Sequence, residues 1–272
     1  MTLPPRCRLT VAPRFHLAAD WAGRLTAGAG VTEADGRFFP RGPWRPPTAD
    51  ELPLLVCGPE YGCEEDAEAG CLFQIPGHLT AAWWDLLDRS AEAGCAALPG
   101  FEDFTRRVAE FLRFKHMNVP PGLQMEAVVT AAGRCSMRSD RETGAPAGLG
   151  PSLAPWAACG LAEGGVLPRL WAVVNLGDED TWLVLMGVPI QGLAASLASR
   201  HPGQPLPTTV GELVGAFLSK FPDCAPVRLR LGPGEGFRLP SGGLILDADA
   251  TDKQDPDILL LISAQSIASS KL

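Results

Sequence analysis

The sequence predicts a mostly β protein with flanking helices, of the double-stranded β-helix type (jelly roll, cupin-like). Three observations lead to this prediction. The second half of the 272-residue chain carries six short runs typical of β-strands, bounded by Gly, Pro or Asp. Amphipathic helical stretches precede these runs and interrupt them twice, and 30 glycines and 26 prolines are spread over many turns. Helices followed by many short strands favour a closed β-structure with helices packed outside it.

The N-terminal part shows few periodic signals before two helices. The first 60 residues are rich in Pro, Gly and Arg, so we expect irregular structure with one or two short strands, such as Pro53–Cys57. A helix follows, because Trp84, Leu87, Ala91 and Cys95 fall on one face at helical spacing. Thr80 is its expected N-cap. A second amphipathic helix follows and ends before the Pro-Pro-Gly segment at 120–122.

The C-terminal half alternates strands and helices. The strand-like runs are Val128–Thr130, Arg169–Leu176, Thr181–Met186, Val227–Leu231, Gly243–Leu246 and Ile258–Ser263. Helices are expected at Gly192–Arg200 and at Leu213–Phe221, the latter preceded by a capping box of Thr209 and Glu212. Without a repeat or a clear linker, we expect one jelly-roll domain over 1–272. Residues 1–120 would pack on a β-helix core at 121–265.

Composition excludes several classes of function. The net charge of −8 argues against a nucleic-acid partner, since such proteins carry basic faces. No run approaches the roughly 18 apolar residues of a membrane span, and the first residues lack the apolar stretch of a secretory signal. We therefore expect a soluble, cytoplasmic protein without a membrane partner. The eight cysteines, none in Cys-x-x-Cys spacing, are expected to be reduced, partly buried thiols.

Common catalytic motifs are absent. The chain has no phosphate-binding loop, no dinucleotide-binding glycine motif after a strand, no nucleophile elbow and no zinc-protease motif. None of its four histidines has an acidic residue two positions later, and a two-His-one-carboxylate iron site would need at least two of them together in space. The glycine-rich stretch LGPGEGFRLPSGG is typical of turns, because prolines interrupt it and a strand follows.

The segment RLRLGPGEGFRLPSGGLILDADATDKQDPDILLLI, residues 228–262, resembles the C-terminal part of a bacterial group of iron- and 2-oxoglutarate-dependent oxygenases of specialised metabolism. The matching positions there are the strand Val227–Arg230, the turn Pro233, Gly234 and Glu235, then Phe237, Pro240 and the pair Pro256–Asp257. Upstream, the matching positions are Arg169, Asn175, Leu176 and Gly177. The resemblance covers about residues 120–262, is most specific in the last 40, and implies the double-stranded β-helix fold.

The iron-binding triad of that group is missing. The group's distal His falls on Leu246, directly before Asp247. The best match to the proximal His-x-Asp pair is CSMRSDRE, which places Met137 at the His position and Ser139 at the carboxylate position. Residues 117–200 contain no His at all.

Ligand chemistry then argues against an oxygenase. Leu246 offers no lone pair, Met137 is a soft ligand that favours copper(I), and neutral Ser139 is a poor ligand for iron. We therefore expect no metal and no cofactor. A replacement site is an open alternative, and its candidate ligands are Asp140, Asp247, Asp249 and His116. Carboxylates alone suit Mg²⁺, Ca²⁺ or Mn²⁺ better than iron.

Two classes of function follow from this resemblance. In the first, the chain is a metal-independent enzyme that performs cyclisation, isomerisation or elimination in the inherited pocket, with Asp247 and Asp249 as catalytic acid and base. The residues expected to bind its substrate are Met137, Arg138, Ser139, Arg169 and Leu246. The two arginines would hold a carboxylate. The substrate would be a small molecule or a carrier-bound intermediate.

In the second class, the chain is a catalytically silent partner of an active oxygenase, or forms a homodimer. A third alternative is an oxygenase with unusual iron ligands. A purely structural role is also open for the charged candidates. Arg138 and Arg169 could form surface ion pairs. Asp247 and Asp249 could be solvated carboxylates at the end of a strand. A filled pocket and an exposed apolar patch would favour the partner, and an open pocket with a perturbed carboxylate would favour the enzyme.

Overall fold

A computed structural model describes residues 9–11, 21–57, 70–93, 98–115, 117, 119–120, 122–136, 148–151, 167–200, 202–240 and 244–266. Within these ranges the protein is mostly β, with helices on both sides of two large sheets. The strands are β1 Leu9–Val11, β2 Leu25–Ala27, β3 Gly30–Ala34, β4 Arg37–Arg41, β5 Val56–Cys57, β6 Gly70–Gln74, β7 Gln124–Thr130, β8 Gly150–Pro151, β9 Leu167–Asn175, β10 Thr181–Pro189, β11 Pro226–Leu231, β12 Glu235–Arg238, β13 Leu244–Asp249 and β14 Asp257–Ser266. The helices are α1 Leu52–Leu55, α2 Gly77–Ala93, α3 Phe101–Phe114, α4 Ile190–Arg200 and α5 Val210–Lys220, besides a 3-10 turn at Trp21–Arg24.

The strands form two large sheets and a hairpin. The larger sheet has the order β5-β1-β6-β12-β9-β14-β7, and the smaller sheet has the order β2-β11-β10-β13-β8. Strands β3 and β4 form the hairpin. Pairing is antiparallel throughout, except where β1 runs parallel to β5 and β6. From β7 onwards the chain passes repeatedly from one sheet to the other, so its last eight strands are shared equally between the two.

Three apolar clusters hold four layers together. The first lies between the two sheets and includes Leu183, Leu246 and Leu259. The second lies between the larger sheet and helices α2 and α3, and the third between the smaller sheet and helices α4 and α5. Because both faces of each sheet are covered, the central strands are continuous apolar runs instead of alternating ones. This explains sequences such as WLVLMGV in β10 and ILLLI in β14.

The six strands expected in the C-terminal half are all present, most of them longer than their apolar runs. The helix α5 begins with the predicted capping box, in which the Glu212 N–H donates to the Thr209 hydroxyl and the Thr209 N–H donates to the Glu212 carboxylate, both at 3.3 Å. Thr80, in contrast, is not an N-cap. Helix α2 begins earlier, at Gly77, because the Leu79 and Thr80 N–H groups already donate to the Pro76 carbonyl.

The N-terminal part contains more strands than its sequence indicates. Strand β2 pairs with β11 in the smaller sheet, and β6 pairs with β12 in the larger one. The expected strand at Pro53–Cys57 is instead the end of helix α1 followed by the two-residue β5. Strands β6 and β12 approach each other closely at Gly236, where a Cβ atom would collide with the ring of Phe73 on the opposite strand. The glycine-rich stretch is therefore partly a strand, which its turn-like composition did not predict.

Candidate functional site

Strand β13 carries three of the predicted site residues, and it places them on two different faces. Leu246 belongs to the cluster between the sheets and is 0% exposed. Its neighbour Ile245 belongs to the cluster under helices α4 and α5. Because side chains alternate along a strand, Asp247 and Asp249 lie on the Ile245 side. The structure therefore does not bring the two carboxylates together with Leu246 in one pocket.

Among the described residues, the side chains around Leu246 offer no ligand to a metal ion. Across the smaller sheet it lies opposite Leu185 of β10 on one side and Gly150 of β8 on the other. Inward-facing neighbours from the same cluster include Leu183, Val227 and Leu259. None of these side chains has a lone pair, so they do not fit Fe(II), which binds imidazole and carboxylate groups.

The strand beside Leu246 is β8, at Gly150–Pro151, and the predicted proximal positions precede it in the chain. Met137, Arg138 and Ser139 lie outside the described residues, as do Asp140 and His116 of the alternative metal site. Their predicted roles are untested. Within the described ranges no group of three or more His, Cys, Asp or Glu side chains is arranged to hold a metal ion.

Arg169 is placed only in part. Its backbone lies in β9, where it pairs with Ala264 of β14. The described part of the structure does not include the surroundings of its side chain, so its predicted contact with a carboxylate stays a prediction.

Asp249 pairs with a buried arginine. Its carboxylate lies 3.1 Å from the Arg228 guanidinium, and both side chains are about 5% exposed. The same guanidinium lies between two indole rings, 4.8 Å from the centre of Trp44 and 4.9 Å from that of Trp182. Asp249 is therefore part of a buried ion pair, in which each charge depends on its partner, and this favours a structural contact.

Asp247 lies deeper on the same face and is 1% exposed. Its carboxylate accepts the N–H of Ala248 at 2.8 Å, and the residue takes part in at least one further interaction. The thiol of Cys135 lies close to both carboxylates. Its pKa is raised by burial and, to a smaller extent, by the negative charges of Asp249 and Asp247. Burial also raises the pKa of the Cys71 thiol, and that of Cys224 to about 12, so none of these three free thiols is an activated nucleophile.

Two carboxylates that do face the interior lie at one end of the sandwich, which we call the polar end. Asp257, at the start of β14, is fully buried, pairs with the Lys253 ammonium and accepts the Thr181 hydroxyl at 2.7 Å. Glu235, at the start of β12, pairs with Arg24 and accepts the Gly232 N–H at 2.7 Å. These pairs satisfy both charges, and they connect loops to strands.

Asn175 completes the polar end. Its amide group donates to the Glu179 carbonyl at 2.7 Å and to the Leu231 carbonyl at 3.0 Å, and its oxygen accepts the Gly177 N–H at 2.9 Å. Asn175, Glu235 and Asp257 all belong to the motifs that carry the oxygenase resemblance. In this structure, all three tie loops to strand ends. Sequence reasoning did not assign them this role, although their positions next to Gly and Pro were a signal of turns.

Open cavities occur on the outside of helices α2 and α3. One of about 320 Å³ is lined by residues that include His78, Arg107 and Phe114, and another of about 230 Å³ is lined by residues that include Asp103 and Arg107. Phe114 is 76% exposed, the largest exposure among the described large apolar side chains. No helix in the described ranges combines the length and the apolar character that crossing a bilayer requires.

Comparisons with protein-family models, with curated proteins and with solved structures find no match to this chain. A function for this chain is therefore argued from its local geometry and from the sequence resemblance described above. Three features of the described residues are relevant to function: the apolar interior around Leu246, the carboxylates that form ion pairs, and the exposed groove on helices α2 and α3.

Proposed function

We propose that this chain is an iron-free protein on a jelly-roll scaffold that acts as a catalytically silent binding partner, for example of an active oxygenase in specialised metabolism. The observation that carries the proposal is the burial of Leu246 in an apolar cluster, at the position that matches an iron-binding His. A metal ion needs lone pairs from the atoms that coordinate it, and the described neighbours of Leu246 supply none.

The jelly-roll part of the proposal is supported by strand order. In the larger sheet the last eight strands contribute β12-β9-β14-β7, and in the smaller sheet they contribute β11-β10-β13-β8. Numbered one to eight, these orders read 6-3-8-1 and 5-4-7-2, which is the arrangement expected when an antiparallel ribbon is wrapped into two facing sheets. Strand β2 extends the smaller sheet at its β11 edge, and strands β6, β1 and β5 extend the larger sheet at its β12 edge.

The metal-independent enzyme predicted from the sequence has less support. Its acid and base were expected at Asp247 and Asp249, which lie on the helix-covered side of the smaller sheet. The interior carboxylates Asp257 and Glu235 are each paired with a cation. Removing either carboxylate from its buried pair would leave a cation without its partner, so these contacts favour a structural role over catalysis.

The test is an anaerobic titration of the purified protein with Fe(II) and 2-oxoglutarate, together with metal analysis of the protein as isolated. We expect less than stoichiometric iron and no saturable 2-oxoglutarate binding, while an iron- and 2-oxoglutarate-dependent oxygenase titrated in parallel binds both. Stoichiometric iron with saturable 2-oxoglutarate binding would overturn the proposal. Co-purification with an oxygenase whose turnover rises when this chain is added would support the partner role directly.

A further inference from the structure

The groove between α2 and α3 has features of a protein interface. It contains both open cavities, and Arg107 lines each of them. Arg107 has no ion-pair partner among the described residues, although it is only partly exposed. Phe114 projects beside the groove with three quarters of its surface in solvent. An exposed aromatic side chain next to a cavity and a cation is typical of an interface core.

We propose that this groove is the contact surface of a homodimer, in which the α3 helices of two copies pack antiparallel across a two-fold axis. The charge pattern of α3 carries the argument. Asp103, Arg107, Glu110 and Phe114 follow one another at helical spacing and all line the groove. Asp103 and Glu110 each pair with Arg106 within α3, but both carboxylates are more than half exposed and can accept a second guanidinium group. A two-fold axis between Arg107 and Glu110 brings Arg107 of one copy opposite Glu110 of the other, and the same contact then forms twice.

The same axis gives the aromatic side chain a binding site. Since residues opposite each other have numbers that add up to the same value, Phe114 of one copy falls opposite Asp103 of the other. Asp103 lines the 230 Å³ cavity together with Gly100 and Phe104, so this cavity is where the ring of the second copy would insert. One register therefore satisfies both the charge pairs and the exposed ring.

The size of the surface predicts a weak dimer. Helix α3 has 14 residues and is therefore about 21 Å long, and two adjacent helices present a face about 20 Å wide. Such a face buries about 1,000 Å² in total, near the lower limit for a specific interface. We expect dissociation constants in the micromolar range, from about 1 to about 100 µM. The inference does not depend on whether the protein binds iron.

Sedimentation velocity or native mass spectrometry of the full chain over this concentration range tests the proposal. The wild-type protein should shift from monomer to dimer as its concentration rises, and Phe114→Asp should remain monomeric. The matched control is Leu206→Asp, which alters another exposed apolar side chain in the loop before α5 and should dimerise normally. A wild-type protein that stays monomeric, or a dimer that Phe114→Asp leaves unchanged, would overturn the proposal.

A charge-swap experiment tests the register. Arg107→Glu places two carboxylates opposite each other, and Glu110→Arg places two guanidinium groups opposite each other, so each variant alone should dimerise about tenfold more weakly or worse. When the two variants are mixed, both contacts become attractive, and a heterodimer should form. Lys220→Glu on α5 is the control that should change nothing. Variants that fail to form the heterodimer while remaining folded by circular dichroism would refute this register.

Discussion

The two faces of strand β13 differ in the way they are stabilised. The inner face, with Leu244, Leu246 and Ala248, is filled by aliphatic side chains from both sheets. The outer face, with Asp247 and Asp249, points towards the layer of helices α4 and α5 and includes a buried arginine between two tryptophans. An apolar interior is stabilised by shape and volume, whereas a buried ionic cluster is stable only while each charge keeps its partner. Substitutions on the two faces should therefore destabilise the protein for different physical reasons.

The largest effect on stability is expected at the polar end, where charged side chains are buried in the interior. Asp257→Ala leaves the nearly buried Lys253 ammonium without its carboxylate and removes the acceptor of the Thr181 hydroxyl. Loss of one partner of a buried pair typically costs about 3 to 5 kcal/mol. Urea unfolding followed by circular dichroism should show this loss, and Asp255→Ala, an exposed carboxylate two residues away, should change the unfolding free energy by less than about 0.5 kcal/mol. Equal effects of the two variants would contradict the ionic account of this end.

On the inner face, Leu246→Ala should leave a cavity, because tightly packed surroundings relax only in part. We expect a loss of about 3 kcal/mol in unfolding free energy. Leu246→Met, which keeps the volume, should lose less than about 1.5 kcal/mol. If the alanine variant were as stable as the wild type, the interior around Leu246 would have to be open, and the enzyme hypothesis would gain support.

On the outer face, Arg228→Met removes the guanidinium from between Trp44 and Trp182 and leaves Asp249 without its cation. We expect a loss of about 2 kcal/mol, smaller than at the polar end because Asp249 keeps the N–H of Thr251, at 3.0 Å, as a donor. The control is Arg230→Met in the same strand, whose partly exposed pair with Asp180 should contribute less than about 1 kcal/mol. A reversed order of the two variants would show that the aromatic contacts do not stabilise the fold.

The smallest effect concerns pH. Hydrogen bonds from Arg45 lower the pKa of the Glu51 carboxyl from 4.5 to about 2, against the opposing effect of burial. A lowered pKa in the folded state stabilises the protein above the ordinary carboxyl pKa, and this contribution is lost as the pH falls from about 4.5 towards 2. Because Arg45 is one-third exposed, we expect a contribution of only about 1 kcal/mol at neutral pH. Glu51→Gln should reduce the acid sensitivity of the unfolding free energy in this range and leave a flatter pH profile; an unchanged profile would exclude the pair as its source.

Local signals allowed much of the fold to be predicted from the sequence. The strands β9, β10 and β14 are long apolar runs bounded by Asp, Gly or Pro, and the capping box of α5 involves residues only three positions apart. The strands β2 and β6 were not predicted, because their short sequences become strands only through partners in β11 and β12. Their pairing depends on long-range contacts, which periodicity does not report.

The candidate site was harder to predict for a related reason. Alternation along β13 correctly groups Asp247 with Asp249, but it does not say which face is the interior. Ile245 and Leu246 are both buried and apolar, because helices cover one side of the sheet and the second sheet covers the other. The motifs that resemble an oxygenase proved informative about the polar end, where Asn175, Glu235 and Asp257 hold loops to strand ends.

The pairing of the first strands with the last has a consequence for synthesis of the chain. Strand β2 requires β11, about 200 residues later, and β6 requires β12, more than 160 residues later. Neither sheet can be completed while the ribosome is still making the first two thirds of the protein. Contacts this distant slow folding, because a long loop must close before the contact stabilises anything. Until the C-terminal strands emerge, the apolar faces of α2 and β6 have no complete sheet to cover them, and during this interval the nascent chain is most exposed to aggregation.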